Sequence, residues 1–429
     1  MSGIRKETAS TKNYTITKNY TITKNYTIMY QAKVKGNMKK LYEVIMEKKK
    51  YNALAITMWD FSWIERNWPG AGFDDIDKAL DELVERGYNA VRIDAFPHLI
   101  RKDMNKEWTL KPVWYSNDWG SPYINKITLY PAFPDFLRKC RERKIKVGLS
   151  SWYREDADNV RMEITSPEKM ANNWIAVLDL IQKEGLLDTI LYVDLCNEWP
   201  GNIWAPYFKN EEGSAWGYWF TDTSMVYMKR AIECVRDKYD DIPLCFSLDN
   251  NYFEHYKNRD LSFFDFVEHH IWMTSLNNSE FYNLIGKEAD GRWSDKAYHI
   301  LSDNCLRVYN ERPEYWKQLL RDGIRELANS VKMQDLLLAT TECWGIVNYK
   351  DYPLLSWDWV KDLCEIGVET AISTNQWIMI ATSNFACPQF VGMWRDVEWH
   401  KRLTTLIKSQ EIPYECIKPR LRKTMEYKQ

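Results

Sequence analysis

The sequence predicts an α/β protein built as a (β/α)8 TIM barrel. From residue 53 onward, short apolar runs alternate with amphipathic helical stretches, which is typical of parallel strands joined by helices. Several of these runs end in acidic or aromatic residues, as expected where active sites lie at the carboxyl ends of barrel strands. The alternative, an open doubly wound sheet, is disfavoured because its glycine-rich loop is missing after the first run.

Four strands and four helices are predicted in alternation in the first half of the chain. Apolar residues at helical spacing indicate the helix over 74–86, and Gly87 behind it is a typical C-cap residue. The fourth strand is the clearest, because the apolar run from Ile190 stops at Asn197-Glu198 before a Trp-Pro pair that cannot extend it. The predicted strands are 53–57, 89–93, 144–149 and 190–195, and the helices are 74–86, 134–143, 167–183 and 223–239.

The second half of the chain continues this alternation. Long segments follow strands two, four and six, at 95–130, 199–221 and 273–311. Long loops at the carboxyl ends of strands build walls around a barrel mouth, so we expect a pocket rather than an open cleft. The predicted strands are 243–248, 264–270, 336–341 and 368–373, and the helices are one that ends at 332, one at 357–365 and one at 397–407.

The domain organisation follows from composition. No stretch within 53–412 resembles a linker, so residues 38–429 are predicted to form one (β/α)8 domain. Ahead of it, the unit TKNYTI occurs three times in succession between Thr11 and Ile28. These repeats are polar and short and have no core to pack against, so residues 1–37 are predicted to be a disordered tail.

Charge and cysteine content exclude several classes of partner. The formal net charge of -2 provides no basic excess for phosphates, so no nucleic-acid partner is expected. No run of about 20 apolar residues and no signal-peptide pattern is present, so no membrane partner is expected. The nine cysteines are scattered without a CxxC pair, which favours free thiols and a cytoplasmic location. The oligomeric state stays open.

The 21 tryptophans outnumber the 17 glycines, which is unusual. One explanation is a large aromatic core. The other is sugar recognition, because the flat apolar faces of sugars stack on aromatic rings. Tryptophans at strand ends favour the second explanation.

Glu198 and Glu342 are candidate catalytic residues because each follows an apolar run that predicts a buried strand, in ILYVDLCNEWP and LLLATTECWG. Strands four and seven lie on opposite sides of an eight-stranded barrel mouth, so carboxylates at their ends can face each other. For either glutamate alone, a helix N-cap or a solvent-facing loop position would be the simpler explanation.

Two facing carboxyl groups are what glycoside hydrolysis requires, at about 5 Å for retention and about 6.5–9.5 Å for inversion. One must be protonated near neutral pH, and the other must be ionised to attack the anomeric carbon. Arg92 on strand two is expected to lie near Glu342 and to favour its charged form. Glu198 is then the candidate for the raised pKa.

The chain resembles glycoside hydrolase family 5, a branch of the retaining glycosidases built on (β/α)8 barrels. The resemblance covers most of residues 53–400 and rests on Asn197-Glu198, Glu342 and the block GYNAVRI at 87–93. It implies that Glu198 is the acid/base, that Glu342 is the nucleophile and that Asn197 binds the sugar 2-hydroxyl. The other family positions that it implies are Arg92, His270, Trp272 and Trp377, the last as the floor of the reacting sugar's subsite.

Two positions depart from the family pattern. Strand three exits into Ser150-Ser151-Trp152, where the family often has a histidine, and His98 is a candidate for that contact. The alternative for His98 is a loop histidine bonded to backbone. The strand-six aromatic residue is Trp272 instead of tyrosine, and an indole can only donate a hydrogen bond. Trp152 and Asp60, near the ends of strands three and one, complete the candidate substrate-binding residues.

No metal and no cofactor are predicted. Neighbouring residues on a strand point to opposite faces, so only one of His269 and His270 can face the barrel interior. The chain has six histidines and neither a His-x-His nor an HExxH pattern.

The predicted function is a retaining exo-β-glycosidase, since a walled pocket suits the end of a short oligosaccharide. The stretch WDFSWIERNWPGAG at 59–72 resembles a branch of intracellular β-mannosidases, which implies short β-mannosides such as mannosyl-β-1,4-N-acetylglucosamine as substrates. The alternatives are a β-glucosidase or an endo-β-1,4-glucanase or mannanase of the same fold. A further alternative is a non-catalytic carbohydrate-binding barrel, which would not need both glutamates.

Overall fold

The computed structural model describes residues 50–113, 120–209, 218–286, 295–347, 349, 351 and 355–426. The predicted repeat tail lies outside these residues. The larger of two compact units takes Asn52–Ile412 and the chain from Cys416, and the smaller includes Tyr51 and Pro413–Glu415. The larger unit contains the barrel.

Eight parallel strands form the barrel, which confirms the predicted fold class. We number them in chain order as β1 (Leu54–Asp60), β2 (Ala90–Asp94), β3 (Lys146–Ser150), β4 (Ile190–Asp194), β5 (Leu244–Cys245 and Ser247–Leu248), β6 (Val267–His269), β7 (Leu338–Thr340) and β8 (Trp377–Ala381). Hydrogen bonding connects them in the order β5-β4-β3-β2-β1-β8-β7-β6-β5.

Strand β5 closes the barrel because its two halves pair with different neighbours. Leu244–Cys245 pairs with the end of β4, and Ser247–Leu248 pairs with β6. Only Phe246 separates the two halves. Each strand therefore has two neighbours, and the sheet has no open edge.

One helix follows each strand and packs outside the barrel. These helices are α1 (Ile76–Glu85), α2 (Ala132–Glu142), α3 (Pro167–Lys183), α4 (Asp222–Arg236), α5 (His255–Asn258), α6 (Pro313–Lys332), α7 (Asp358–Ser373) and α8 (Val397–Ser409). Side-chain N-caps start several of them, as Asp75 does for α1 and Ser166 for α3. Within the described residues, no helix is long and apolar enough to cross a membrane.

The connections that follow β2, β4 and β6 are long, as predicted. The β2 connection contains a helix at Pro97–Asp103 and an antiparallel pair of strands, Trp108–Leu110 and Asn125–Ile127. After β6, Ile271–Trp272 pairs in parallel with Cys343–Trp344, which follows β7. Further helical segments are Ser62–Glu65, Val160–Glu163, Leu187–Thr189, Met273–Ser275, Leu276–Ile285, Asp295–Glu311, Val391–Trp394, Tyr414–Cys416 and Pro419–Met425, and two further short strands are Lys50–Asn52 and Glu411–Pro413.

The predicted eighth strand at 368–373 was wrong. These residues form the end of α7, whose buried positions Leu363, Gly367 and Ala371 recur every four residues as in a helix. A turn at 374–376 leads into β8, so Trp377 opens the strand instead of following it. The Trp377 side chain is therefore attached at the amino-terminal end of β8, and not at its carboxyl end as predicted.

Candidate active site

The guanidinium of Arg92, on β2, lies fully buried inside the barrel. Its Nη1 donates to Thr341 Oγ1 at 2.9 Å and to Glu342 Oε1 at 3.3 Å. Its Nη2 donates to Asp194 Oδ2 and Asn197 Oδ1, both at 2.6 Å. The planar fork of this one side chain thus connects the residues at the ends of β4 and β7.

Asp194, the last residue of β4, is the nearest counter-charge of Arg92. Its Oδ2 accepts from the hydroxyls of Ser150 at 2.6 Å and Ser247 at 2.9 Å. Its Oδ1 accepts from the backbone N–H of Ser247 at 2.8 Å and of Cys196 at 3.3 Å. Burial raises the pKa of Asp194, and the charge of Arg92 and the bond from Ser150 oppose that rise. Because its neighbours are all donors, we infer that the carboxylate is ionised.

The structure brings Glu198 and Glu342 together around His270. One oxygen of each glutamate and a ring nitrogen of His270 all lie within 4.8 Å of one another. Nδ1 of His270 is 3.1 Å from Glu198 Oε1 and 3.8 Å from Glu342 Oε1. The two carboxyl groups are therefore close enough to act on one bond.

Glu198 is positioned by backbone hydrogen bonds that its two chain neighbours make with the strands β3 and β5 or the residues that follow them. Asn197 donates its N–H to the carbonyl of Ser151 after β3, and Trp199 donates to Ser247 in β5, both at 2.9 Å. The Glu198 N–H donates to the Ser247 hydroxyl at 2.9 Å. Glu198 has a φ of 47°, in the left-handed region that costs a non-glycine residue about 1–3 kcal/mol. The hydrogen bonds on both sides hold it there.

Glu342 is held by the short strand pair above the barrel. Its carbonyl accepts from the N–H of Ile271 and from the hydroxyl of Thr340, both at 3.2 Å. The two residues that follow it, Cys343–Trp344, pair with Ile271–Trp272. Its side chain is 3% exposed, so the carboxyl group lies in a largely dry environment.

Arg92 lies near Glu342 and favours its charged form, as predicted, but it does not outweigh burial, so Glu342 has a raised pKa that was expected only for Glu198. Burial raises the pKa of Glu342 to about 7, with His270 and Arg92 lowering it and Glu198 and Glu268 raising it. Arg92 fails to dominate because it is shared, with Asp194 nearer at 2.6 Å than Glu342 at 3.3 Å. The two catalytic candidates therefore form a coupled pair that holds a proton near neutral pH.

Asn197 presents an amide donor whose orientation is fixed by Arg92. Its Oδ1 accepts from Arg92, which leaves Nδ2 on the other side of the amide plane. That Nδ2 is buried and has no hydrogen-bond partner among the described residues. A buried amide donor without a partner is costly, so the site is suited to a ligand that supplies an acceptor.

Two tryptophans flank the pair. The ring of Trp152 lies 4.6 Å from the Arg92 guanidinium, in a cation–π contact. The ring of Trp272 makes an edge contact with His270 at 5.9 Å between centroids. Its Nε1 is buried and finds no partner within the described part of the chain. Both predicted positions thus lie beside the charged centre.

Asp60 ends β1 and is buried. Its carboxylate accepts from the N–H of Ser62. Burial raises the pKa of Asp60 well above its ordinary value, and the nearby charges of Glu65 and Glu342 raise it further. Because the charge of Glu342 affects the pKa of Asp60, the two carboxyl groups lie in the same polar region.

His98 and Trp377 make their contacts elsewhere. Nε2 of His98 donates to the carbonyl of Arg154 at 3.0 Å, which is the backbone-bonded alternative considered for it. Burial lowers the pKa of His98 to about 3, so it is neutral. Trp377 is fully buried at the start of β8, and its ring packs edge-on against Trp344 at 5.7 Å.

Sequence reasoning missed the polar residues inside the barrel, above all Glu268. This residue lies on β6, is fully buried and accepts from Thr341 Oγ1 at 2.6 Å. The available signal was an ionisable residue inside an apolar run, both in ILYVD at Asp194 and in FVEHH at Glu268. The alternation predicted for the histidines is confirmed, because His269 bonds Tyr256 on the outer face at 2.7 Å.

Glu198, His270 and Glu342 lie close enough together to hold a metal ion on distance alone. The donor set does not suit one. Two of its three members already bond each other, and the Arg92 guanidinium lies 3.3 Å from the third. A dication there would face a fixed positive charge, so we do not assign these residues as metal ligands.

Comparison with known proteins points to one family. A family model described as sugar-binding cellulase-like matches residues 56–408. A crystal structure from Parabacteroides distasonis ATCC 8503, provisionally assigned as a glycoside hydrolase, is 51% identical with a TM-score of 0.85. That match covers 88% of this chain and 100% of the other. None of the curated proteins matches the chain.

More distant structures are similar at a low level. Ruminococcus gnavus beta-glucuronidase is 12% identical with a TM-score of 0.41, over 78% of this chain and 44% of that one. GH5_18 from Streptomyces cattleya in complex with GlcNAc is 9% identical with a TM-score of 0.44, over 77% of this chain and 70% of that one.

Proposed function

Because the chain belongs to the sugar-binding cellulase-like family, we propose that it is a retaining exo-β-glycosidase. Glu342 is the proposed nucleophile and Glu198 the proposed acid/base. The observation that carries the proposal is the proximity of these two carboxyl groups in a buried site, with a histidine between them. A protein that only binds sugar would have no need to place two carboxyl groups this close.

The separation of the carboxyl groups supports retention of configuration. Retaining enzymes hold the two groups about 5–5.5 Å apart, whereas inverting enzymes leave about 6.5–9.5 Å for a water molecule. In this chain one oxygen of each lies within 4.8 Å of the other. This distance is nearer to the retaining range than to the inverting range, so direct attack by one carboxylate is favoured.

The proposed reaction has two steps. In the first, Glu342 Oε attacks the anomeric carbon as the bond to the leaving oxygen breaks, and Glu198 gives its proton to that oxygen. In the second, Glu198 takes a proton from water, whose oxygen attacks the same carbon and releases Glu342. The sugar keeps its configuration, and both carboxyl groups return to their initial protonation.

The charged environment supports this division of roles. Arg92 donates to Glu342 at 3.3 Å and His270 lies 3.8 Å from it, so both act to lower its pKa against the effect of burial. Glu198 bonds to His270 at 3.1 Å. The proposed mechanism places the free carboxylate at Glu342 and the proton at Glu198, and the charges of Arg92 and His270 favour that arrangement against the effect of burial on Glu342.

The proposed substrate is a short β-mannoside such as mannosyl-β-1,4-N-acetylglucosamine. Support comes from the stretch at 59–72, which resembles intracellular β-mannosidases, and from the long connections after β2, β4 and β6 that favour a walled pocket. A β-glucosidase and an endo-acting glucanase or mannanase are the competing outcomes. A cytoplasmic location is proposed with it, since all nine cysteines are free.

Hydrolysis of nitrophenyl β-mannoside, β-glucoside and β-galactoside by the purified protein tests the activity and the sugar together. We expect turnover of the mannoside, and loss of that turnover in Glu342→Ala without loss of the fold. Glu326→Ala, an exposed substitution on α6, is the matched control and should keep full activity. Ordinary activity in Glu342→Ala would contradict the proposed mechanism, and a preference for another sugar would correct the substrate.

A further inference from the structure

Glu268 occupies the barrel interior directly below the catalytic pair. It lies two residues before His270, which directly follows β6, so both side chains point to the same side of the chain. Its Oε1 accepts from the Thr341 hydroxyl at 2.6 Å and lies 3.7 Å from His270 Nε2. Its Oε2 accepts from the hydroxyl of Tyr192 at 3.4 Å. Two hydroxyl groups thus donate hydrogen bonds to this carboxylate.

The fold makes space for this arrangement at Gly148, on β3. A Cβ at this position would lie 2.5 Å from Cζ of Tyr192, much closer than van der Waals contact. The absence of a side chain lets the Tyr192 ring cross the barrel interior and reach Glu268. Glu268 is therefore contacted by a side chain from β4, across the barrel, and by one that directly follows β7.

The two hydrogens of Arg92 Nη1 determine whether Nε2 of His270 accepts a hydrogen bond. This nitrogen has two hydrogens and three neighbours, namely Thr341 Oγ1 at 2.9 Å, Glu342 Oε1 at 3.3 Å and His270 Nε2 at 3.5 Å. The two oxygens are nearer and take both hydrogens. The contact of Nε2 with Arg92 is then the weakest of the three, and the other polar neighbour of Nε2 among the described residues is the Glu268 carboxylate at 3.7 Å.

We propose that Glu268 is a positioning residue that keeps a hydrogen on Nε2 of His270, so that the catalytic proton is held in the bond between His270 Nδ1 and Glu198. This role of Glu268 rests on the proposed glycosidase function. With Nε2 protonated towards Glu268, Nδ1 faces Glu198 at 3.1 Å. The one further proton in that bond belongs to either atom, and it is the proton that Glu198 transfers to the leaving oxygen.

The charged groups that face His270 support this arrangement. They are Arg92 from β2, Glu198 after β4, Glu268 from β6 and Glu342 after β7. Burial alone would raise the pKa of Glu268, but the nearby His270 and the charge of Arg92 bring it below its ordinary value. Glu268 is therefore the permanent negative charge on the far side of the ring.

Nitrogen-15 NMR of histidine-labelled protein tests the tautomer without relying on enzymatic activity. We expect His270, assigned with a His270→Asn variant, to carry a hydrogen on Nε2 at neutral pH. His269 is an internal control, since its ring bonds Tyr256 on the other face of the strand. A bare Nε2 on His270 would overturn the proposal even if the protein proves to be an active glycosidase.

Kinetics of Glu268→Gln test the consequence for catalysis. Removing an opposite charge near a titrating group shifts its pKa by roughly one to three units, so the alkaline limb of kcat/KM should move to lower pH by that amount. At neutral pH, substrates with poor leaving groups should lose at least about tenfold, and those with good leaving groups much less, since they need little proton donation.

An unmoved alkaline limb in folded Glu268→Gln, or an equal loss for every leaving group, would overturn the proposal. Thr341→Val is a second variant: it frees a hydrogen of Arg92 Nη1 to compete with Glu268 for Nε2 of His270, so it should move the limb in the same direction by less. If the protein hydrolyses no glycoside, the proposed function fails while the NMR result still decides the tautomer. If neither variant folds, the wild-type spectrum decides it alone.

Discussion

Replacing Glu342 by glutamine should stabilise the protein at alkaline pH. Burial raises the pKa of Glu342 from 4.5 to about 7 in the folded chain. The folded state therefore binds a proton more tightly than the unfolded state. Ionising Glu342 in the folded protein therefore lowers the free energy of unfolding. This loss develops as the pH rises from about 4.5 to about 7 and is complete above pH 7.

The magnitude follows from the shift in pKa. A difference of roughly 2.5 units between unfolded and folded values corresponds to about 3 kcal/mol, at 1.36 kcal/mol per unit. A neutral amide of the same shape avoids this cost, although it gives up its charge-assisted bond with Arg92. Glu342→Gln should therefore exceed the wild type by up to about 3 kcal/mol at pH 8 and match it at pH 4.

Urea unfolding of both proteins at several pH values measures this difference as the free energy of unfolding. Glu326→Gln on the outside of α6 is the matched control, and such a surface change should stay within about 0.5 kcal/mol at each pH. A difference between Glu342→Gln and wild type that does not change from pH 4 to pH 8 would refute the electrostatic reasoning. A variant less stable at pH 8 than at pH 4, relative to wild type, would refute it too.

Three further predictions concern the residues around the pair. Glu198→Ala should keep activity best on substrates with good leaving groups, and an equal loss across a series of aryl glycosides would count against its acid role. Arg92→Lys loses the fork that contacts both Asp194 and Glu342, so kcat/KM should fall at least about tenfold, and a near-normal value would show that the fork is dispensable. Gly148→Ala should cost about 1–3 kcal/mol of unfolding free energy by displacing Tyr192, whereas Gly345→Ala, with its nearest neighbour at 3.4 Å, should cost less; equal costs would contradict the packing argument.

The alternation of strands and helices was predictable because it depends on local periodicity. The helix at 167–183 was predicted with the bounds that the structure gives, since a Ser-Pro start and regular apolar spacing mark it locally. The eighth strand was misplaced because the β-branched residues of 368–373 resemble a strand, while their burial on α7 depends on packing. That error also placed Trp377 at the wrong end of its strand.

The candidate site was predictable where a residue follows a strand, and less so where it lies inside one. Glu198 and Glu342 stand out as carboxylates behind apolar runs. Asp194 and Glu268 lie inside such runs, and their partners Arg92 and Thr341 come from other strands. The raised pKa of Glu342 could not be predicted either, because it depends on burial and on how one guanidinium is shared.

The most direct test of the account is to trap the glycosyl-enzyme with a 2-deoxy-2-fluoro glycoside of the preferred sugar and to sequence the labelled peptide by mass spectrometry. The account predicts time-dependent inactivation and a single label on Glu342. A label on another residue would contradict the assignment of the nucleophile. An active enzyme that this reagent does not label would contradict the double displacement itself.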